Sequence, residues 1–413
     1  MVSHFPGVAG ASSRAALLGG ACLVTAAAAA ALWPLVRTAT GGRENLPVTS
    51  PRRKVLDSLS EEQITSLPYP PDILPGGRDV ATPYGSIRVF EWGPEDGDKM
   101  LFLHGISTPT ISQGDLAHEM VAKGYRVMLF DLFGRGYSDA PADVPYDARL
   151  YTTQILLVLA SSSLAWSCFH LVGYSLGGGL AVSFARYFPH RLKSLTLVAG
   201  GGLVRRYHVG WQSWFLYNSG LLPESLVRRL VKRRIRPSAE PPKAAGGADL
   251  VAAESHSQGG QHRRTGGNSD ANGGPGFDSA SISRRRPHVS VSSVVAWQVD
   301  HHPGFVTAFL STIRNAPIYE AYEDWKALGP ILAERRQVDT SIKPSGLSNG
   351  QVLLVLGKTD PVVVPSETIE DAERILGKEG VHSVVLEAGH ELPISLSQEV
   401  GDCIDTFVRR QIP

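Results

Sequence analysis

The sequence predicts an α/β fold in which a mostly parallel β-sheet carries helices on both faces. From about Val80 onwards, short continuous apolar segments alternate with segments of helical periodicity. Continuous apolar segments of this length are typical of strands that are buried on both faces, as in a parallel sheet. The helices between such strands pack on the two faces of the sheet. The chain has 413 residues, of which 43% are hydrophobic, so it can form a large core.

The predicted strands are of two kinds. Residues 86–92 alternate like a half-buried strand, with Ile87 and Val89 separated by Arg88. The other predicted strands are continuous apolar segments at 99–103, 125–130, 169–172, 195–199, 351–356 and 383–386. Helical patterns lie at about 113–123, 146–164, 176–188, 366–377 and 395–410. Strands and helices therefore alternate along the chain, as an α/β fold requires.

A long insertion interrupts this alternation. No clear strand pattern is present from residue 204 to residue 348, so the predicted core has two parts, 80–203 and 349–413. The pattern is helical at 207–236 and again at 289–328. We expect these helices to form a cap over one end of the sheet, inserted between strands 6 and 7.

The middle of the insertion, at about 237–288, has a different composition. It is rich in Gly, Ser, Pro, Arg and Asn and has almost no large apolar residues. Such a segment cannot bury enough apolar surface to offset the entropy that ordering would cost, so we expect a disordered loop. The entropic cost of loop closure rises only slowly with length, so the cap can contain such a loop.

Two segments of the predicted cap have more than one interpretation. The aromatic residues at 211–217 could line an acyl pocket, contact a bilayer or form the core of the cap. Residues 222–236 combine leucine and valine at i, i+4 spacing with many arginines and lysines. This basic amphipathic pattern fits a helix on anionic lipid, and it also fits a cap helix with a solvated basic face.

Residues 1–54 are predicted to be a membrane anchor or a targeting segment. No charged residue lies between Arg14 and Arg37, and this span is about the length needed to cross a bilayer, roughly 20 residues. Our first interpretation is a single transmembrane helix; a cleaved secretory signal, an organelle transit peptide and a disordered tail remain open. More basic residues follow the span than precede it, which places the main domain in the cytosol. The alternatives would make the protein secreted or mitochondrial.

Charge and cysteine content argue against other classes of protein. The net charge of +1 argues against a nucleic-acid partner, which would require a strongly basic face. Cys22, Cys168 and Cys403 are widely spaced and odd in number. They form neither a disulfide framework nor a metal site, and they favour a reducing compartment.

A G-x-S-x-G motif, Gly173 to Gly177, lies between a predicted strand and a predicted helix. A serine at such a tight turn presents its hydroxyl outwards, which is the arrangement of a nucleophilic serine. The flanking glycines fit because a Cβ would collide with the neighbouring strand or helix. The motif therefore predicts that Ser175 is a nucleophile, and the alternative is a glycine-rich turn that only connects the two elements.

A nucleophilic serine needs a base and a group that orients the base. Asp360 follows the predicted strand at 351–356, and His390 follows the predicted strand at 383–386. The chain order Ser175, Asp360, His390 is typical of this serine-elbow arrangement. We therefore expect a catalytic triad, although Asp360 could instead cap a turn and His390 could be one of several loop histidines.

A serine that attacks a carbonyl group also needs hydrogen-bond donors for the oxyanion that develops. Ile106 follows the predicted strand at 99–103, and Leu176 follows the candidate nucleophile. The backbone N–H groups of these two residues can point at one oxygen, so we predict that they form the oxyanion hole. His104 is expected to support this loop and not to act as a base.

Several motifs together resemble the α/β-hydrolase superfamily. They are LFLHGIS, DLFGRGYSD, LVGYSLGGG, LGKTDPVV and EAGHELP. The resemblance covers about 80–200 and 350–413, and residues 302–315 resemble the family's cap segments. In such relatives the segment that begins at Asp131 is structural, so Asp131 is not expected to be catalytic. Epoxide hydrolases and dehalogenases resemble this chain in fold but use aspartate at the elbow, and Ser175 argues against both.

The resemblance implies a two-step acyl transfer in which Ser175 attacks a carbonyl, His390 takes its proton and Asp360 orients the imidazole. No metal or organic cofactor is required. The expected substrate is a small-molecule carboxylic ester, apolar or lipid-like and presented at a membrane. The alternative is a soluble or organellar hydrolase of small esters, thioesters or carbon–carbon bonds. An inactive hydrolase fold used for binding is disfavoured by the intact triad.

Overall fold

The computed structural model describes residues 46–209, 211–218, 220–236, 275–337 and 346–410. The predicted membrane-spanning segment between Arg14 and Arg37 lies outside these ranges, as do residues 237–274 of the predicted disordered loop. Within the described ranges, no helix has the length and apolar character needed to cross a bilayer.

Eight strands form one sheet in the order β1-β2-β4-β3-β5-β6-β7-β8. The strands are β1 (Gly77–Thr82), β2 (Gly85–Trp92), β3 (Lys99–Leu103), β4 (Arg126–Phe130), β5 (Phe169–Tyr174), β6 (Leu192–Val198), β7 (Val352–Gly357) and β8 (Val381–Leu386). The pairs β1–β2 and β2–β4 are antiparallel, and all other pairs are parallel. The predicted mostly parallel sheet is therefore confirmed. The sequence did not predict β1, a polar edge strand whose residues are all exposed or only half-buried.

Helices precede the sheet, separate its parallel strands along the chain and follow its last strand. They are α1 (Pro51–Lys54), α2 (Glu61–Ser66), α3 (Gly114–Ala122), α4 (Ala148–Ala160), α5 (Leu176–Tyr187), α6 (Trp211–Asn218), α7 (Glu224–Ile235), α8 (Pro275–Ser279), α9 (Val291–His301), α10 (Phe305–Asn315), α11 (Tyr322–Gln337), α12 (Pro365–Leu376), α13 (Leu392–Ser395) and α14 (Ser397–Arg409). The helices predicted for the core correspond to α3, α4, α5, α12 and α14. Helices α6 to α11 lie between β6 and β7, where the sequence predicts an insertion.

The core has a layer on each face of the sheet. On β5, Phe169 and Leu171 belong to the layer that includes α4 and α5, whereas Val172 and Tyr174 belong to the layer that includes α3 and α14. Successive side chains of a strand point to opposite faces, which explains why neighbouring residues enter different layers. All six residues of β5 are buried. This central strand holds the serine turn at its carboxyl end.

The expectation of a half-buried strand at 86–92 is wrong at its centre. Arg88 is 2% exposed, although the alternating pattern predicts a solvent-facing side chain. The guanidinium donates to the Pro71 carbonyl oxygen at 2.6 Å and lies 3.3 Å from a carboxylate oxygen of Asp79. The chain before β1 covers this face of β2, and a buried charge needs partners of this kind.

The expectation of disorder is wrong for residues 275–288. This segment contains α8, in which Phe277 is 3% exposed, and it continues to the buried Ile282. Ser283 Oγ donates to one carboxylate oxygen of Asp115, and the N–H of Arg284 donates to the other at 2.6 Å. The overall composition hid the two apolar residues and the polar contacts that order this segment, which we call the strap.

Candidate active site

Ser175 occupies a strained turn between β5 and α5. Its φ is +52° and its ψ is −121°, a conformation that costs free energy for a residue with a Cβ and is concentrated at functional sites. The turn requires glycine on both sides of the serine. A Cβ at Gly173 would lie 2.3 Å from the carbonyl oxygen of Gly177, and one at Gly177 would lie 2.1 Å from that of Leu103. The motif is therefore a close-packed turn that carries Ser175 at its tip.

The structure brings Ser175, His390 and Asp360 together. Nε2 of His390 lies 3.0 Å from Oγ of Ser175, and Nδ1 of His390 lies 2.8 Å from Oδ2 of Asp360. With the proton on Nδ1, the imidazole donates to Asp360 and accepts from the serine hydroxyl. The geometry is a continuous chain of hydrogen bonds from the carboxylate to the hydroxyl.

The carboxylate and the imidazole are both held in place. Oδ1 of Asp360 accepts the N–H groups of Val362 and Val363, at 2.8 and 2.9 Å, which leaves Oδ2 for the imidazole. Asp360 and His390 are each 4% exposed. The hydroxyl of Tyr174 donates to the His390 carbonyl oxygen at 2.9 Å. The two loops that follow β7 and β8 therefore present a fixed carboxylate–imidazole pair to Ser175.

The predicted oxyanion donors lie beside the same hydroxyl. Ile106, Leu176 and Ser175 line one cavity. Leu176 is the first residue of α5, and the first N–H groups of a helix have no acceptor within the helix. A Cβ at Gly105 would lie 3.3 Å from the Cβ of Ser175, so the loop after β3 passes close to the serine. The position of both residues fits the predicted donor role.

His104 is a buried support of this loop. Its Nδ1–H donates to the Gly105 carbonyl oxygen at 2.7 Å, and its Nε2 accepts the N–H of Leu132 at 2.8 Å. Burial lowers the pKa of His104 to about 3, since a charged imidazole would be desolvated there. Both ring nitrogens are occupied by the backbone, so His104 supports the loop and has no nitrogen free to act as a base.

Asp131 lies outside the triad and organises a neighbouring turn. Its carboxylate accepts the N–H groups of Thr110 and Tyr137, at 3.0 and 2.9 Å, and the hydroxyl of Tyr69. Burial raises the pKa of Asp131 to about 6. The carboxylate joins three distant parts of the chain, which agrees with the structural role expected for it.

A small cavity opens next to Ser175. Its volume is about 60 Å³, which is smaller than the roughly 150 Å³ of a protein cavity that binds benzene. Much of its wall is apolar. The insertion, including the strap, contributes Val204, Phe277, Ile313, Ile318 and Tyr319, and Val362 follows Asp360. The site can therefore place a small apolar group beside the serine hydroxyl.

Sequence reasoning missed Phe277, an aromatic wall residue whose ring lies beside the triad. Its ring centroid lies 5.8 Å from that of His390. The sequence does not predict a role for Phe277, because it is an isolated aromatic residue in a segment whose composition predicts disorder. An isolated aromatic side chain in such a segment was the one available signal.

Comparisons with known proteins agree with this geometry. The family described as "alpha/beta hydrolase fold" matches residues 99–395. An uncharacterized protein of Mycobacterium bovis is 31% identical over 138 residues, which are 33% of this chain and 39% of that protein. Lipase 1 of Psychrobacter immobilis is 31% identical over 112 residues, which are 27% of this chain and 34% of the lipase. The matched region thus spans less than half of each of these curated relatives.

Similarity to a solved structure extends over most of the chain. A carboxylesterase from Bacillus subtilis has a TM-score of 0.53 and 15% sequence identity, and the match covers 84% of this chain and 95% of the esterase. At this identity the match shows a shared fold. Because the family match includes both sheet segments, the serine turn and the loops that carry Asp360 and His390, this chain belongs to the α/β-hydrolase fold family.

Proposed function

We propose that the protein is a serine hydrolase that cleaves carboxylic esters through an acyl-enzyme intermediate. The observation that carries the proposal is the hydrogen-bonded chain from Asp360 through His390 to Ser175. It ends at an apolar cavity that can hold an acyl group. The curated lipase and the solved carboxylesterase to which the chain is similar support the same reaction class.

In the first step, Oγ of Ser175 attacks the ester carbonyl carbon while Nε2 of His390 takes the hydroxyl proton. The carbonyl oxygen becomes an oxyanion that the N–H groups of Ile106 and Leu176 stabilise, a contribution typically worth about 3 kcal/mol per donor. Asp360 holds the imidazole with Nδ1 protonated and stabilises the positive charge that develops. His390 then gives its proton to the leaving alkoxide, and the C–O bond breaks.

The second step releases the acyl group with water. His390 takes a proton from the water, the resulting hydroxide attacks the acyl carbon, and the proton returns to Oγ of Ser175 as the acid leaves. Every proton is transferred through Nε2 of His390. Apart from the ester and water, the proposed steps use only side chains and backbone groups of this chain.

The cavity favours an ester with a short apolar acyl group. Its apolar wall, to which the insertion contributes most of the side chains, accommodates hydrocarbon, and its small volume of about 60 Å³ suits a short acyl group. We therefore propose that the insertion acts as a cap that selects the acyl group. Membrane location through the segment at 14–37 stays a prediction, because that segment lies outside the described residues.

Covalent labelling tests the proposed reaction. A fluorophosphonate probe phosphonylates an activated serine, and we expect mass spectrometry to find the adduct on Ser175 of the full chain. Labelling should be prevented by prior denaturation, because the unfolded chain has no His390 beside the hydroxyl. An adduct on another serine, or none in a folded sample that hydrolyses esters, would contradict the nucleophile assignment.

Phe277 is expected to limit acyl length. The Phe277→Ala variant removes an aromatic ring from the cavity wall, so kcat/KM for a hexanoyl ester relative to an acetyl ester should rise by about tenfold or more. Steady-state kinetics with p-nitrophenyl esters of increasing acyl length measure this ratio. Phe305→Ala is the matched control, because Phe305 is buried in α10 and is not among the residues that line the cavity.

Both phenylalanine variants lose a buried ring, and each is expected to lower the free energy of unfolding by about 3 kcal/mol. We expect both variants to lose stability, and we expect only Phe277→Ala to change its preference for acyl length. An unchanged preference in Phe277→Ala, or an equal change in Phe305→Ala, would remove Phe277 from the acyl site.

A further inference from the structure

Helices α6 and α7 and the loop between them carry a concentrated patch of exposed apolar side chains. In the described ranges, the exposed large hydrophobic residues are eight in number, and half of them lie between residues 215 and 230. They are Phe215, Leu221, Leu226 and Leu230. Leu221 is 76% exposed. Single exposed apolar residues are common, but a cluster within so short a segment indicates a contact surface.

Helix α7 divides into a buried face and an exposed face. Val227, Val231 and Ile235 are buried, and the helix packs against α9 and α10. Leu226 and Leu230 are one helical turn apart and are both 40% exposed. With 3.6 residues per turn, they lie on the side of the helix that faces away from this packing.

The exposed face of α7 is also basic. Arg229 and Arg233 are exposed, and their i+3 spacing from Leu226 and Leu230 places them on the same face. Arg228 and Lys232 are also exposed and add two more cationic groups to the surface of the helix. The net charge of the whole chain is only +1, so this positive charge is a local feature. Apolar and cationic groups are thus combined on one helix surface.

We propose that the α7 face, formed by Leu226, Arg229, Leu230 and Arg233, binds the surface of a bilayer that contains anionic phospholipids. The leucines would enter the boundary between headgroups and acyl chains, and the arginines would contact lipid phosphates. A nucleic acid or another acidic polymer would satisfy the arginines but leave the leucines in water. The combination of both groups on one face therefore favours lipid.

The proposed membrane binding does not depend on ester hydrolysis, and the test measures lipid binding separately from ester cleavage. The full chain is used with the Ser175→Ala substitution, so that no lipid is cleaved. Hydrogen–deuterium exchange then reports on residues 221–236 separately from the N-terminal segment, whose own membrane binding would otherwise mask the effect. The vesicles contain phosphatidylcholine alone or phosphatidylcholine with phosphatidylglycerol.

We expect slower exchange in residues 221–236 with the anionic vesicles and no change with the neutral ones. The double variant Arg229→Glu, Arg233→Glu should raise the vesicle concentration needed for half-maximal protection by at least about tenfold. Leu226→Ser with Leu230→Ser should raise it as well. The matched control is Arg149→Glu with Lys326→Glu, which changes the net charge equally at side chains that are 85% and 61% exposed elsewhere.

Thermal melting of each variant shows that it is folded before exchange is measured. Equal protection by both kinds of vesicle, or none with anionic vesicles, would overturn the proposal. An equal loss of protection in the control variant would also overturn it. Protection by RNA or polyglutamate but not by vesicles would assign the face to an acidic macromolecule, and the lipid proposal would then be wrong.

Discussion

Replacement of Ser175 by alanine is expected to lower kcat/KM for ester hydrolysis by about 10⁶-fold. Oγ of Ser175 is the atom that lies 3.0 Å from Nε2 of His390, and a methyl group cannot form the acyl-enzyme bond. The remaining rate would come from the cavity and the backbone donors, which still bind and polarise the ester. Steady-state kinetics with a soluble short-chain ester measure the loss.

The fold of the Ser175→Ala variant should persist, because alanine has the same Cβ at the φ of +52°. Ser183→Ala is a matched control. Ser183 lies on α5, the helix that follows Ser175, is buried and donates to Asp324, and it is not among the residues that line the cavity. We expect the control to retain activity. A Ser175→Ala activity within tenfold of the wild-type value would mean that another group is the nucleophile.

Replacement of Asp360 by asparagine should lower kcat by about 10⁴-fold. The side-chain amide can still accept the N–H groups of Val362 and Val363 through its oxygen. Its NH₂ group would then face Nδ1 of His390, where it can donate but not accept. The imidazole would be held with its proton on Nε2, the wrong tautomer for taking a proton from Ser175. Steady-state kinetics measure the drop in kcat.

Asp371→Asn provides the control for Asp360→Asn. Asp371 is also buried, and its carboxylate pairs with Arg205 and Arg374 on the side of α12. We expect this variant to lose stability and to keep its kcat. A fluorophosphonate reaction as fast in Asp360→Asn as in the wild type would show that the carboxylate does not prepare the base.

Much of the fold could be predicted because the inner parallel strands β3, β5 and β7 are buried on both faces, whereas the parallel edge strand β8 is only exposed or half-buried. β3 and β7 are almost continuously apolar, and β5 is interrupted only by His170 and Gly173. This pattern can be recognised without knowing which strands lie beside it. The edge strand β1 lacks such a pattern, since its residues are exposed or half-buried. Arg88 also depends on its surroundings, because its burial is tolerated only where Asp79 and the Pro71 carbonyl oxygen meet its guanidinium.

The candidate triad could be named from the sequence because each member follows a strand. The parallel strands β5, β7 and β8 bring their carboxyl ends to one edge of the sheet, so Ser175, Asp360 and His390 converge there. The motif at Gly173 to Gly177 is local only in part: a Cβ at Gly173 would collide with the carbonyl oxygen of Gly177, whereas one at Gly177 would collide with that of Leu103 on β3.

The sequence by itself thus determined most of the sheet, the serine turn and the order of the three candidate catalytic residues, because apolar strand patterns and the G-x-S-x-G motif can be recognised along the chain without its tertiary neighbours. Only the tertiary structure decided what surrounds the serine. Phe277 reaches the His390 ring because the contacts of Ser283 and Arg284 with Asp115 order the strap. Those contacts join residues more than a hundred and fifty positions apart, and a separation of that kind leaves no periodic signal in the sequence.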